Sequence, residues 1–327
     1  MHIPCVYLYL QRGTVFADAK QFEKTLLMQI PFIYWVLIAI LGSVWGGAFF
    51  FAKIAVTEIQ PLTLVLLRVG LAALVLWVFI WITKGRPLIS ANVFRQWLAM
   101  GLLANALPFA LLFYGQREIG AGLASIINGS TVLWTAVFAH IFLADEKLTP
   151  LKTMGIAIGF LGIIIMIGPS ALEGVGSNVL AQILVVLTAM SYGFAAVYSR
   201  RFAKSDPLIT AAGQLTGASL LILPVVLLVD RPTSLALPSP AVLMSLIGLV
   251  LISTALAYVF YFKIVAAVGA VNVSLCTFIV PVAALILGTS LLGETLTLTQ
   301  WLGMAAIFAG MVAIDGRIFR KKTLRNA

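Results

Sequence analysis

Apolar residues run along this chain in stretches of about 20, too continuous for strand alternation and long enough to cross a bilayer core of roughly 30 Å as helices. Ten such stretches can be marked, at 32–52, 62–83, 97–116, 120–143, 151–168, 178–199, 208–229, 241–263, 269–292 and 298–315. The breaks between them carry helix-start chemistry. Thr149-Pro150 combines an N-cap with a proline at the first helical position, and Thr297 with Gln300 forms a capping box. Pro61, Pro207 and Pro240 stand in first turns, where a missing N–H costs little, whereas Pro108, Pro224 and Pro281 fall inside stretches and predict bends or local unwinding. The pattern predicts an all-α membrane protein with ten transmembrane helices.

The pattern is also written twice. Glu146, Leu148, Thr149, Gly155, Ala157, Phe160 and Gly162 reappear 148 positions on as Glu294, Leu296, Thr297, Gly303, Ala305, Phe308 and Gly310. Earlier, Trp45-Gly46 faces Tyr192-Gly193, and the run from Pro61 to Arg68 faces that from Pro207 to Gln214. Five spans per half is an odd number, so the second half enters the membrane upside down. This gives two inverted five-helix repeats, at 32–168 and 177–315, meeting near Gly168-Pro169-Ser170. An N-terminal segment, 1–31, reads as a cytoplasmic extension or as residues ahead of a true start at Met28, and a basic cytoplasmic tail occupies 316–327. Duplicated inverted halves are the signature of a secondary transporter, with the substrate site between the repeats near the bilayer midplane.

Composition agrees. The chain is 62% hydrophobic and only 10% charged, with mean hydropathy +1.10, against roughly 25% charged residues in a soluble domain. A net charge of +10 suggests nucleic acid in a soluble protein, but here its placement is topological. With the N-terminus inside, seventeen Lys/Arg positions fall on the cytoplasmic side and three, Lys53, Arg117 and Arg231, on the outer side, with Arg68 inside a span. Such asymmetry predicts a multi-pass inner (cell) membrane protein with both termini cytoplasmic and no nucleic-acid partner. The tail from Arg317 to Arg325 is placed to lie against anionic headgroups. Cys5 and Cys276 are far apart, and no Cys/His cluster offers a metal site.

No Asp or Glu falls within a span except Asp315 at the cytoplasmic end of the last, and HExxH, GxSxG, paired carboxylates and a phosphate-binding Gly-rich loop are all missing. The chain is therefore not expected to be an enzyme or to hold a cofactor. Lacking a carboxylate at membrane depth, it is expected to act as a facilitator or exchanger, or to couple weakly through His140. The polar residues left in the spans are neutral. Ser125, Asn128, Thr131 and Thr135 share one face of the fourth helix, and Asn272, Ser274 and Thr277 cluster on the ninth. Asn105 marks the third, and Trp45 and Tyr192 mark the first and sixth. Each could simply bond a neighbouring helix, at roughly 0.6 kcal/mol apiece. As a group they suit a cavity for a small organic molecule, with Trp45, Asn105, Asn128, Thr131, Tyr192, Asn272 and Thr277 as substrate-binding candidates. Arg68 lies seven residues beyond Pro61, roughly 10 Å along its helix. Two roles are open to it: snorkelling to the outer interface, or anchoring a substrate carboxylate or phosphate. The glycines at 155, 159 and 162 read as helix packing. Glu146 and Glu294, beside capping threonines, read as helix-start and interface structure.

From about residue 33 to 315 the chain resembles the EamA family of the drug/metabolite transporter superfamily. The likeness rests on Trp45-Gly46 through Lys53, Pro61 with Arg68, and the duplicated segment from Phe142 to Gly162 and from Pro281 to Gly310. It implies ten helices, a central cavity, and export or uptake of small metabolites such as amino acids by alternating access. The alternatives are a nucleotide-sugar or phosphate-ester exchanger, which would call for more intramembrane cations than Arg68, and a non-transporting scaffold or receptor. The partners implied are a small-molecule substrate and the lipid bilayer, with a homodimer compatible. One departure stands out. Family members often carry proline in the fourth helix to match Pro281, but this chain has Leu133-Trp134. That argues against symmetric helix breaking and lets Trp134 fill the space.

Overall fold

The computed structural model describes residues 31–144, 146–172, 176–232 and 237–316. The expectations for the N-terminal extension before Pro31 and for the tail beyond Gly316 lie outside them. Ten helical units follow one another without a strand among the described residues: α1 Phe32–Ala55, α2 Pro61–Lys84, α3 Ala91–Glu118, α4 Ala121–Phe142, α5 Pro150–Leu172, α6 Ser177–Tyr198, α7 Pro207–Val229, α8 Pro240–Val268, α9 Ala270–Leu291 and α10 Leu298–Asp315. Nine are long and apolar enough to cross a membrane, and in α9 the long apolar segment is the shorter Cys276–Leu291, of 16 residues. The protein is an all-helical, multi-pass membrane protein. Successive helices alternate direction, so the loop residues at 85–90, 146–149 and 203–206 share a basic face and those at 56–60, 119–120, 237–239 and 292–297 the opposite face.

Local chemistry sets the helix ends. The Thr297 hydroxyl accepts from Gln300 N while the Gln300 side chain accepts from Thr297 N, which completes the predicted capping box. Thr149 accepts from Lys152 N at 3.3 Å ahead of Pro150. Asp206 caps α7 through Leu208 N and Ile209 N and pairs with Lys84 at the end of α2, tying the halves together. Burial alone would raise its pKa, but Lys84 and those N–H groups hold it below the usual carboxylate range. On the opposite face Asp230 accepts from Thr63 N and Oγ1, both at 2.7 Å, and caps α2 from the end of α7.

The duplicated glycines form the closest seam. A Cβ on Gly162 would stand 2.7 Å from the Gly303 carbonyl and one on Gly303 2.7 Å from that of Gly162, while Gly155 and Gly310 meet in the same way. The helices α5 and α10 thus run antiparallel with their backbones in contact, as small residues allow in lipid. The pair α1 and α9 meets at Gly46 against Ala283, and its counterpart α6 and α4 meets at Gly193 against Trp134 and Thr135.

Two features modify the predicted spans. A π-helical stretch interrupts α3 at Leu102–Ala106 and α8 at Gly248–Leu256, equivalent places in the two repeats. Both α4 and α9 are broken, α4 at Ser130 between Ala121–Gly129 and Thr131–Phe142, and α9 between Ala270–Val273 and Cys276–Leu291. Breaking therefore does not need the fourth-helix proline. The breaks are not symmetric, since the second comes about one turn earlier relative to its helix start. Trp134 does not fill a vacant proline site at the cavity: its ring packs edge-on against Phe160 of α5, at 4.8 Å between centroids.

Candidate functional site

A cavity of about 310 Å³ lies at the centre of the bundle, at the lower end of the range for small-molecule sites. Both broken helices border it. The first break contributes Asn128, Gly129 and Thr131, and α9 contributes Thr277, Val280 and Pro281. Proline at 281 has no N–H for the Thr277 carbonyl, so backbone polarity is released beside the cavity. The π-helical stretches add Ala104 from α3 and Ser253 with Thr254 from α8, as π-bulges often do at functional sites. Each stretch is also hydrogen-bonded to a neighbouring helix, α6 for the first and α1 for the second. Ser191 Oγ donates to the Leu103 carbonyl at 2.7 Å, and Ser253 Oγ donates to that of Val44 at 3.1 Å.

Arg68 is the charged group of this wall, and it does not snorkel. It is 6% exposed, its Nε donates to Thr254 Oγ1 at 3.1 Å, and its guanidinium lies 3.9 Å from the centre of the Phe109 ring. The ring stacks on Phe113 and meets Tyr192 edge-on, which fixes the aromatic platform. The outward route fails for a local reason: a ring face and a hydroxyl seat the cation where Pro61 and Thr63 are themselves buried. Thr254 can accept from Arg68 because its own proton goes to the Leu249 carbonyl at 2.7 Å, through the π register. Among the described residues no carboxylate pairs with Arg68. A ring face contributes about 0.5–2 kcal/mol to a desolvated cation, less than the several kcal/mol that burying the charge costs. An anion in the cavity would supply the difference. Gln214, the repeat counterpart of Arg68, instead donates to Tyr258 Oη at 3.0 Å.

Six of the eight sequence candidates line this cavity: Trp45, Arg68, Asn128, Thr131, Tyr192 and Thr277. Two do not. Asn272 is buried on the short first segment of α9 and donates Nδ2 to the Val268 carbonyl at 2.7 Å. Asn105 is fully buried within the α3 π-helical stretch, and neither side-chain polar atom finds a partner among the described residues. Asn128 Oδ1 is likewise a buried acceptor without such a partner, but it stands at the cavity. The aromatic walls Phe49 and Phe109 escaped the sequence reading, because apolar residues in an apolar span carry no pattern that separates cavity from core. His140 is exposed and lies away from the cavity, its Nδ1 accepting from Leu148 N at 3.3 Å.

These positions predict different outcomes for two similar substitutions. Asn128→Leu is expected to weaken substrate affinity about two- to tenfold, the worth of one neutral hydrogen bond, with the melting temperature held. Asn272→Leu is expected to lower the melting temperature and leave affinity alone. A purely thermal effect of Asn128→Leu would return that residue to helix packing.

Comparison with known proteins fits this geometry. The model of the EamA-like transporter family matches residues 33–168 and 179–314. An uncharacterized transporter of Bacillus subtilis, YoaV, is 26% identical over 85% of this chain and 95% of its own. The uncharacterized inner membrane transporter YedA of Escherichia coli K12 is 26% identical over 83% of this chain and 87% of its own. A probable amino-acid metabolite efflux pump of Salmonella typhimurium is 27% identical over 82% of this chain and 90% of its own. A solved crystal structure shares the fold with a TM-score of 0.60 at 17% identity, covering 85% of this chain and 96% of that one.

Proposed function

Because the chain belongs to the EamA-like transporter family, we propose that it is a permease for small organic metabolites bearing a carboxylate, amino acids or related compounds, working by alternating access. The observation that carries the reading is Arg68, a buried guanidinium on the cavity wall with a ring face and one hydroxyl for company. A carboxylate accepts two parallel N–H bonds from such a fork. Asn128 Oδ1 offers an acceptor for an ammonium in the same cavity, and Trp45, Phe49 and Tyr192 offer apolar surface to the rest of the molecule. One cation suits a single carboxylate better than the double charge of a phosphate ester. The amino-acid metabolite named for the Salmonella relative falls in the same chemical class. By the bias of Lys and Arg, the basic face is read as cytoplasmic.

Purified protein in liposomes, offered amino acids, other organic carboxylates, phosphate esters and nucleotide sugars, tests the reading. Uptake or exchange of carboxylates is expected, with the methyl esters of the same compounds failing to compete. Transport confined to nucleotide sugars or phosphate esters would overturn it.

A further inference from the structure

Glu294 belongs to the second half but caps a helix of the first. Its Oε1 accepts from Ala121 N at 2.6 Å and its Oε2 from Gly122 N at 2.9 Å, so it holds the first turn of α4 on the opposite face. The seat is cut to fit. A Cβ on Gly120 would stand 2.6 Å from the Glu294 carboxyl carbon, and one on Gly288 2.4 Å from Oε2. Beside it Lys53, from the end of α1, donates to the last carbonyls of α3, Gln116 at 2.7 Å and Arg117 at 3.3 Å. Lys53, Gly120 and Glu294 border a second recess there.

Both parts of this fastening exist twice in the sequence. Glu294 corresponds to Glu146, and Lys53 corresponds to Arg200 in the register that pairs Trp45 with Tyr192. Their situation differs. Glu146 and Arg200 form an ion pair with each other on the basic face, each side chain 44% exposed. In the repeat, the place that Ala121 and Gly122 occupy for Glu294 falls to Gly269 and Ala270, where α9 begins. One copy of the device is thus engaged with a helix start, and in the other Glu146 is held by Arg200.

We propose that Glu294 and Glu146 are alternating latches of the transport cycle. In the state described here Glu294 fastens α4 and shuts the opposite face. In the other state Glu294 releases α4, and Glu146 leaves Arg200 to cap the first turn of α9 on the basic face. The second seat is the weaker one, because Gly269 N–H already donates to the Val265 carbonyl at 2.9 Å at the end of α8 and His140 stands where the first seat has Gly288, so the Glu294-latched state is the resting one. The proposal rests on the alternating-access reading above, and the measurement below separates the two.

Spin-label pairs in a Cys5→Ser, Cys276→Ser background report each face. Positions 57 and 295 span the halves on the opposite face, and 144 and 267 span them on the basic face. Loss of two charge-assisted bonds should shift the equilibrium about ten- to hundredfold. Glu294→Gln is therefore expected to lengthen the first distance and shorten the second. Gly288→Ala, which improves helix propensity but puts a methyl into the carboxylate seat, should do the same without removing a charge. Glu146→Gln should leave the resting distances as they are and suppress the substrate-driven shift. Unchanged distances in both Glu294→Gln and Gly288→Ala would overturn the latch and leave Glu294 a static cap. Wild-type transport of carboxylates with immobile distances would sink the latch alone. Distances that switch in a protein carrying no carboxylate would sink the substrate reading alone.

Discussion

Replacing Arg68 by glutamine is expected to lower apparent affinity for a carboxylate substrate by about ten- to hundredfold, the worth of a hydrogen bond to a charged group. The protein should stay folded and melt no lower. Glutamine already occupies the equivalent place in the second repeat, at Gln214, where it reaches Tyr258. The substitution also removes a buried cation that no acid among the described residues balances, and relieving such a charge often stabilises. Binding and melting measured on the same preparation separate the two roles. A drop in melting temperature with affinity unchanged would make Arg68 a structural cation held by Phe109 and Thr254.

The largest effect on stability is expected at the α5–α10 seam. Gly303→Leu places a side chain where a Cβ alone would lie 2.7 Å from the Gly162 carbonyl. The contact is backbone, so no side chain can swing aside and the helices must separate. Overpacking of this kind costs about 1–3 kcal/mol, occasionally more. Gly162→Leu should cost a similar amount, and the double variant less than the sum, because both changes open the same gap. Gly176→Ala, with nothing among the described residues within 4 Å of the new carbon, serves as the control. Equal melting temperatures for Gly303→Leu and Gly176→Ala would show that the seam contributes little.

The all-helical, two-repeat architecture, the capping of α10 by Thr297 and the packing role of the duplicated glycines could all be read in the sequence, because each depends on residues close together or repeated in register. What escaped depends on distant partners. The π register at Leu102–Ala106 and Gly248–Leu256 has no local composition of its own, since any apolar run can adopt it once neighbouring helices demand it. The break in α4 follows Asn128-Gly129, a pair that reads equally well as continuous helix. Arg68 was open to two readings because its ring and hydroxyl arrive from α3 and α8, the latter 186 residues away. The helical spacing that grouped Asn272 with Thr277 fails where the turn at Ser274-Leu275 interrupts it. Glu294 was legible as helix-start chemistry, but the helix it serves is α4 and not the one that follows it.

The seam between α5 and α10 bears on how such a chain can drift. Gly155 meets Gly310 and Gly162 meets Gly303, so the contact is isologous, one surface patch facing its own copy. Either half alone carries the whole patch. Two separate half-length chains inserted in opposite orientations would find the same mating surface that the fused chain uses. In the single chain neither half has to insert both ways, and each glycine is accountable to a residue in the other half. A bulky change in one repeat is therefore felt at once in its twin, which keeps this stretch of the two halves alike while their cavity-facing residues have diverged.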